Sequence, residues 1–204
     1  IPLRLGDDAA SQTKGRVLAQ YEQDKRERAV DVTLELAETC SRVLLYGGPT
    51  IASTKDLAAR VQARVPLGQA YRVETYTSKE STPERRRILD DFRKGLTRVL
   101  VAVRCLDEGV DLPIADAAVM CRANEDERQW VQRRGRVLRV GDGSANKVAQ
   151  IVDFLPQRTL GFPVEVDVSL RATVKNEYQR VTTFSTLSTL TSRSQVVRVL
   201  TNVG

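Results

Sequence analysis

The sequence predicts an α/β protein built on an open, largely parallel sheet with helices on both faces, followed by a C-terminal strand and helix extension. Two features carry that reading. Short apolar runs alternate with amphipathic stretches between about residues 42 and 155, and short connections of this kind arise when each strand is followed by a helix that packs back onto the sheet. Several of the runs are also apolar throughout instead of alternating, as strands covered on both faces require.

Residues 24–40, containing KRERAVDVTLELAETC, space Val30, Leu34 and Leu36 among charges at helical intervals and read as an amphipathic helix. RVLLYGG (42–48) is an apolar run ended by paired glycines, a buried strand. STKDLAARVQARV (53–65) offers a Ser/Thr cap and apolar positions Leu57, Ala58, Val61 and Val65 for a helix lying on the sheet. YRVETYT (71–77) reads as the next strand. In STPERRRILDDFRKG (81–95), Thr82 is the expected helix cap, Pro83 suits the first turn and Gly95 closes the helix. Strands TRVLVAV (97–103) and ADAAVMC (115–121) follow, separated by a loop through DEGVDLP. Asn124 and Glu127 form a plausible capping box for a helix over DERQWVQRR, and KVAQIVDF (147–154) reads as a further strand. Beyond Pro156, FPVEVDVSL (162–170) alternates with period two as a half-exposed strand does, RATVKNEYQRVTTF resembles a helix, and the Ser/Thr/Val-rich end favours no element. The expected organisation is a lead-in over 1–23, a lobe over 24–156 and an extension over 157–204.

Composition narrows the chemistry. The 204 residues, 41% hydrophobic and 28% charged, fit a folded domain and not a disordered chain. No apolar run approaches the roughly 20 residues of a membrane span, and the opening IPLRLGDDAA has no signal-peptide pattern, so a cytoplasmic protein is expected. The chain opens on Ile1 instead of methionine, which suggests a segment of a longer protein. Histidine is absent, which excludes Ser-His-Asp catalysis and His-based zinc sites. Cys40, Cys105 and Cys121 lack CxxC spacing and read as reduced thiols. The net charge of +6 suits a polyanionic partner, because each phosphate neutralised by Lys or Arg releases counterions, though a merely basic surface has the same charge.

Two segments carry the chemistry. QWVQRRGRVLR (129–139) crowds Arg133, Arg134, Arg136 and Arg139 around a glycine, which costs repulsion unless anions answer it. Arginine suits phosphate because its planar fork donates parallel hydrogen bonds and stays charged. A solvated basic helix face is the plainer reading. VAVRCLDEGVDLP (101–113) runs off a strand into Glu108, Gly109 and Asp111, at the edge where open α/β sheets bind ligands. Gly109 permits close backbone approach and Asp111 is an acceptor for a sugar hydroxyl, although an ordinary turn uses the same residues. The Arg85-Arg86-Arg87 run reads as a solvated face paired with Asp90 and Asp91 more readily than as a nucleic-acid contact, and Trp130 reads as core.

Taken in this order and spacing, the two segments resemble the motifs of superfamily 2 helicases. VAVRCLDEGVDLP looks like motif V, QRRGRVLR (132–139) matches the motif VI pattern Q-R-x-G-R-x-x-R at every fixed position, and VLLYGG stands where motif IV is expected. The resemblance spans about residues 24–155 and implies a RecA-like C-terminal lobe. It further implies Arg136 and Arg139 as arginine fingers on the γ-phosphate, and Gln132 as an orienting group. Glu108, Gly109, Asp111 and Arg133 would face the nucleotide, while Gly47, Gly48 and Arg104 would face nucleic acid. ATP and Mg²⁺ would be held mainly by a first lobe, since the sequence has neither a G-x-x-x-x-G-K-[ST] loop nor a DEAD or DEXH box. Where RNA helicases of the DEAD-box kind place a threonine at the end of the motif V strand, Val103 stands here. That departure, and L-x-E-G-V-D-L-P, are closer to DNA-directed members such as restriction-enzyme motors, excision-repair helicases and the XPB-like group. The expectation is thus a motor lobe acting on DNA in preference to RNA, and the alternative is a non-catalytic helicase-like module that holds nucleic acid or protein.

Overall fold

The computed structural model describes residues 7–48, 50–69, 71–103, 115–121 and 150–154. Residues 24–154 group as one compact unit, and residues 1–23 with 155–204 as another; the description below concerns the first. Its elements are α1 (Asp7–Thr39), β1 (Val43–Tyr46), α2 (Ile51–Ala63), β2 (Arg72–Tyr76), α3 (Thr82–Arg93), β3 (Thr97–Ala102), β4 (Ala117–Met120) and β5 (Gln150–Asp153). The strands form one five-stranded sheet in the order β2-β3-β1-β4-β5, with every pairing parallel. The predicted α/β class is what the chain adopts. The expected helix over DERQWVQRR and the extension after Pro156 lie outside the described residues.

Winding follows from chirality. The chain leaves β1 toward the β2 edge and returns from β2 to β3, so its two crossovers run in opposite directions. Right-handed connections then place their helices on opposite faces. The packing agrees: α1 and α2 bury Ala29, Val30, Leu57 and Val61 with Val43, Leu45, Val99, Val101 and Val119 on one face. On the other face, α3 buries Ile88, Leu89 and Phe92 with Leu44, Tyr46, Leu100 and Met120. β1 and β4 are buried along their whole length, which explains their unbroken apolar sequences.

Local chemistry moves two helix boundaries from their expected places. Thr50, ahead of STKD, caps α2: its side chain accepts from Ser53 N at 3.1 Å while Ser53 Oγ accepts from Thr50 N at 3.1 Å, a reciprocal capping box. Ser81, and not Thr82, caps α3 by accepting from Glu84 N at 3.4 Å, which leaves Thr82 as the first helical residue. Gly95 does close α3. It adopts φ 73°, and the bonds Gly95 N to Phe92 O (3.1 Å) and Leu96 N to Asp91 O (2.9 Å) complete a Schellman turn. α1 begins at Asp7, well upstream of the expected 24.

Two sets of ion pairs brace the layers. Arg42 grips Asp116 with both arms of its fork, Nε to Oδ2 at 3.2 Å and Nη2 to Oδ1 at 2.9 Å, joining the residues that precede β1 and β4. Glu27 of α1 accepts from Arg60 Nη1 at 2.7 Å and from Arg64 Nη2, both at the end of α2. The hydrogen bond from Arg64, ahead of the charges of both arginines, holds the Glu27 carboxyl below the ordinary glutamate value of 4.5. A carboxyl lowered in the fold stabilises it above the ordinary value and stops doing so as the pH falls through the folded one. Glu27→Gln should therefore lower the thermal midpoint at neutral pH, and its deficit relative to the parent should shrink toward zero as the pH is taken well below 4.5. Thermal melts of both proteins across that range test this, and a deficit independent of pH would show that Glu27 acts through packing.

Candidate functional site

The carboxyl edge of the sheet is the natural place for a site, and its geometry is set by strand register. Tyr46 stands level with Ala102 on one side and with Met120 on the other. Tyr76 pairs with Ala102, and Met120 with Asp153, so all five strands end on one row. Beyond that row Gly47 N donates to Ala102 O at 2.9 Å, extending the β1–β3 ladder by one bond. The connection after β1 leads toward β2, whereas the strands entered after β3 and β4 lie on the opposite side of β1. That reversal makes the carboxyl end of β1 the topological switch point, the crevice where open α/β sheets accept ligands.

Gly47 and Gly48 occupy this point, and the space around them shows what they do. A Cβ on Gly48 would lie 2.2 Å from Ser53 Oγ, and one on Gly47 would lie 3.0 Å from Thr54 Oγ1. The first turn of α2 therefore packs directly against the glycine backbone. The space a phosphate would need in an open cradle is filled here by the helix's own capping serine, so YGGPT is not a triphosphate-binding loop. The described residues also hold no group of three or more His, Cys, Asp or Glu side chains close enough to bind a metal ion.

The remaining predicted site residues bear on the two segments that leave this edge. Residues 104–114, which include Arg104, Glu108, Gly109 and Asp111, follow Val103 at the end of β3. Residues 122–149, which include Gln132, Arg133, Arg136 and Arg139, follow Cys121 at the end of β4. All of these side chains lie outside the described residues. What the described residues fix is the anchorage: both segments start from the strands flanking β1, and those strands are about 10 Å apart at the usual spacing.

The edge also contains a feature the sequence did not single out. At the end of β2 the buried Thr77 donates through both N and Oγ1 to Glu80 Oε2, each at 2.6 Å, and its Oγ1 accepts from Lys79 N at 3.2 Å. This knot fixes the turn into α3. Its signal was the T-x-x-E spacing, which resembles the start of a helix and here is spent on the loop. On α3, Arg87 pairs with Asp91 at 2.9 Å and Glu74 at 2.8 Å, as a solvated face predicts. Neighbouring Arg85 and Arg86 have no ion pair among the described residues.

Comparison with known proteins places this architecture. The family model described as the helicase conserved C-terminal domain matches residues 45–141, which run from β1 through both arginine-bearing and acidic segments. The chain belongs to the superfamily 2 helicases. Over 95 residues it is 39% identical to the DNA 3'-5' translocase XPB2 of Sulfurisphaera tokodaii, covering 47% of the chain and 21% of that protein. Over 110 residues it is 34% identical to UvrABC system protein B of Mycoplasma mycoides, covering 50% of the chain and 15% of the relative. Over 108 residues it is 31% identical to the ATP-dependent RNA helicase DBP5 of Saccharomyces cerevisiae, covering 48% of the chain and 22% of the relative. The chain thus spans about a fifth or less of each of these relatives. Among solved structures, the DUF1998 helicase MrfA bound to DNA superposes with a TM-score of 0.53 at 19% identity, covering 63% of this chain and 18% of that one. S. cerevisiae Dbp5 bound to RNA and ADP BeF3 gives 0.51 at 22%, covering 76% and 37%. The fold is the RecA-like lobe that the resemblance implied.

The close packing at the glycine turn makes a direct prediction. Gly48→Ala should destabilise the lobe by about 1–2 kcal/mol, because the new methyl displaces Ser53 and breaks the α2 cap. Ser53→Gly removes the obstruction, so the double variant should cost less than the sum of the two single changes. Denaturant titrations of the four proteins measure the coupling, and strict additivity would show that the two residues do not meet.

Proposed function

We propose that this chain is the second motor lobe of an ATP-dependent superfamily 2 translocase that acts on DNA. One observation carries the proposal: the family match runs through QRRGRVLR and LDEGVDLP, and these segments leave the sheet from β4 and β3, on either side of the switch point. In this reading Arg136 and Arg139 extend their guanidinium groups across a cleft to the γ-phosphate of ATP held by a first lobe elsewhere in the protein. Their fixed charge answers the negative charge that develops on the transferring group, the role in which arginine forks act most strongly. Gln132 and Arg133 orient the phosphate side. Asp111 accepts from the ribose, and Glu108 and Gly109 shape the nucleotide wall. Gly47, Gly48 and Arg104 lie toward the nucleic-acid strand. Bound ATP with Mg²⁺ supplies the free energy of the cycle. The chain's own residues complete the cleft and couple its closure to the grip on the strand.

The glycine turn, filled by its own helix, supports this division of labour, since the phosphates must be cradled elsewhere. In the complete protein Arg136→Ala should lower ATP turnover by about 10³-fold or more, the scale of an arginine finger. Nucleic-acid affinity without nucleotide should be unchanged. Steady-state ATPase assays alongside binding titrations test both parts, and near-parental turnover would remove the assignment.

The preference for DNA rests on Val103, which offers no hydroxyl to a backbone phosphate at the end of β3, and on the acidic sequence that follows. Relatives named for DNA and for RNA both match the chain. Single-stranded DNA should stimulate the ATPase of the complete protein more than RNA of the same sequence at equal salt, since affinities compared across different salt are uninterpretable. Equal or greater stimulation by RNA would reverse the preference.

A further inference from the structure

The opposite, amino-terminal edge of the sheet carries a cleft that the motor chemistry does not use. Its volume is about 510 Å³, and among the described residues it is lined by Ala37 and Glu38 at the end of α1, Gln69 and Tyr71 ahead of β2, and Arg98 at the start of β3. Arg98 is the unusual member. Its Nη1 donates to Ala37 O at 2.8 Å and its guanidinium carbon lies 5.3 Å from the centre of the Tyr71 ring. No carboxylate among the described residues lies within ion-pair distance of it. Its Nε is buried without an acceptor, and so is the hydroxyl of Tyr71. Burial, ahead of the opposing influences of Arg98 and Glu38, pushes the Tyr71 phenol up, so it remains an O–H donor at ordinary pH.

Buried donors left without acceptors are costly, and a half-buried guanidinium without an anion is costlier still. Both defects occur in side chains that line one cleft, so a single acceptor can relieve both. With Nη1 committed to Ala37, the edge of the fork that remains is Nε with Nη2, whose two parallel N–H groups match the two oxygens of a carboxylate. Glu38 on the same rim adds a negative charge that disfavours a doubly charged group such as phosphate. The volume falls within the range of about 300–1,000 Å³ typical of small-molecule sites. We propose that this cleft binds a small, singly charged carboxylate, held by the Nε–Nη2 edge of Arg98 and the hydroxyl of Tyr71.

The test is a titration of the full isotope-labelled chain with sodium acetate, followed by NMR, at constant ionic strength in chloride, with inorganic phosphate as the comparison anion. Acetate should shift the backbone amides of Arg98 and Tyr71 saturably. Arg98→Met should weaken that binding tenfold or more, the usual scale of hydrogen bonds to a charged group. Arg98→Lys keeps the charge and loses the fork, and should weaken it as well. Tyr71→Phe should weaken it several-fold without altering the ring, and Glu38→Gln should raise phosphate affinity relative to acetate. Non-saturable shifts, equal affinity in the parent and both Arg98 variants, or a preference for phosphate in the parent would each overturn the proposal. Thermal melts of each variant without ligand separate a lost site from a lost fold, and Tyr71→Phe with Glu38→Gln carries the test should Arg98 prove essential for folding.

Discussion

The structure depends on the burial of β1 between β3 and β4 with all three strands ending on one row. A central parallel strand must be apolar on both faces, and Val43, Leu44, Leu45 and Tyr46 meet that demand by dividing between two cores. Once β1 is fixed, right-handed connection sends α2 and α3 to opposite faces. The same constraint aligns the strand ends from which the acidic and arginine-rich segments depart, so packing and site geometry have one origin.

The two edges of the sheet are finished differently. At the amino edge the Arg42–Asp116 fork closes the start of β1 and β4, and part-burial makes such a charge-assisted pair worth more than an exposed one. At the carboxyl edge the backbone is held by short-range devices: the capping box of Thr50 and Ser53, the Thr77–Glu80 knot and the Gly47–Ala102 bond. None of these commits a charged group to the crevice. The more exposed pairs joining α1 to α2 at Glu27, Arg60 and Arg64 are individually weak in water, and their effect lies in holding two helices to one face.

Much of this was legible in the sequence. Every strand over 42–154 was anticipated to within a few residues, because buried parallel strands are apolar throughout and are punctuated by glycine, proline or charge. The family was legible in one short string, QRRGRVLR, whose arginine density has no structural justification without an anion. Caps were less legible. Ser53 and Thr82 have the right chemistry for helix caps, but a Ser or Thr stands just ahead of each, and only backbone geometry decides which residue ends the loop. The pairing of Arg42 with Asp116, 74 residues away, was invisible because nothing local couples them. The arginine run on α3 was half right: Arg87 found its carboxylates because Glu74 on neighbouring β2 lies within reach, and Arg85 and Arg86 did not.

Continuous apolar strands have a cost in information. An alternating strand announces its register, since a slip of one residue turns its oily side to water, but VLLY against TRVLVA and AAVM stays greasy in any alignment. The polar groups at the two margins must therefore tell one alignment from its neighbours: the Arg42 fork, which reaches Asp116 in only one of them, and the amide of Gly47, which meets the carbonyl of Ala102. These few atoms at the ends of the sheet act as its alignment pins, and a protein that lost them would keep its oil and lose its place.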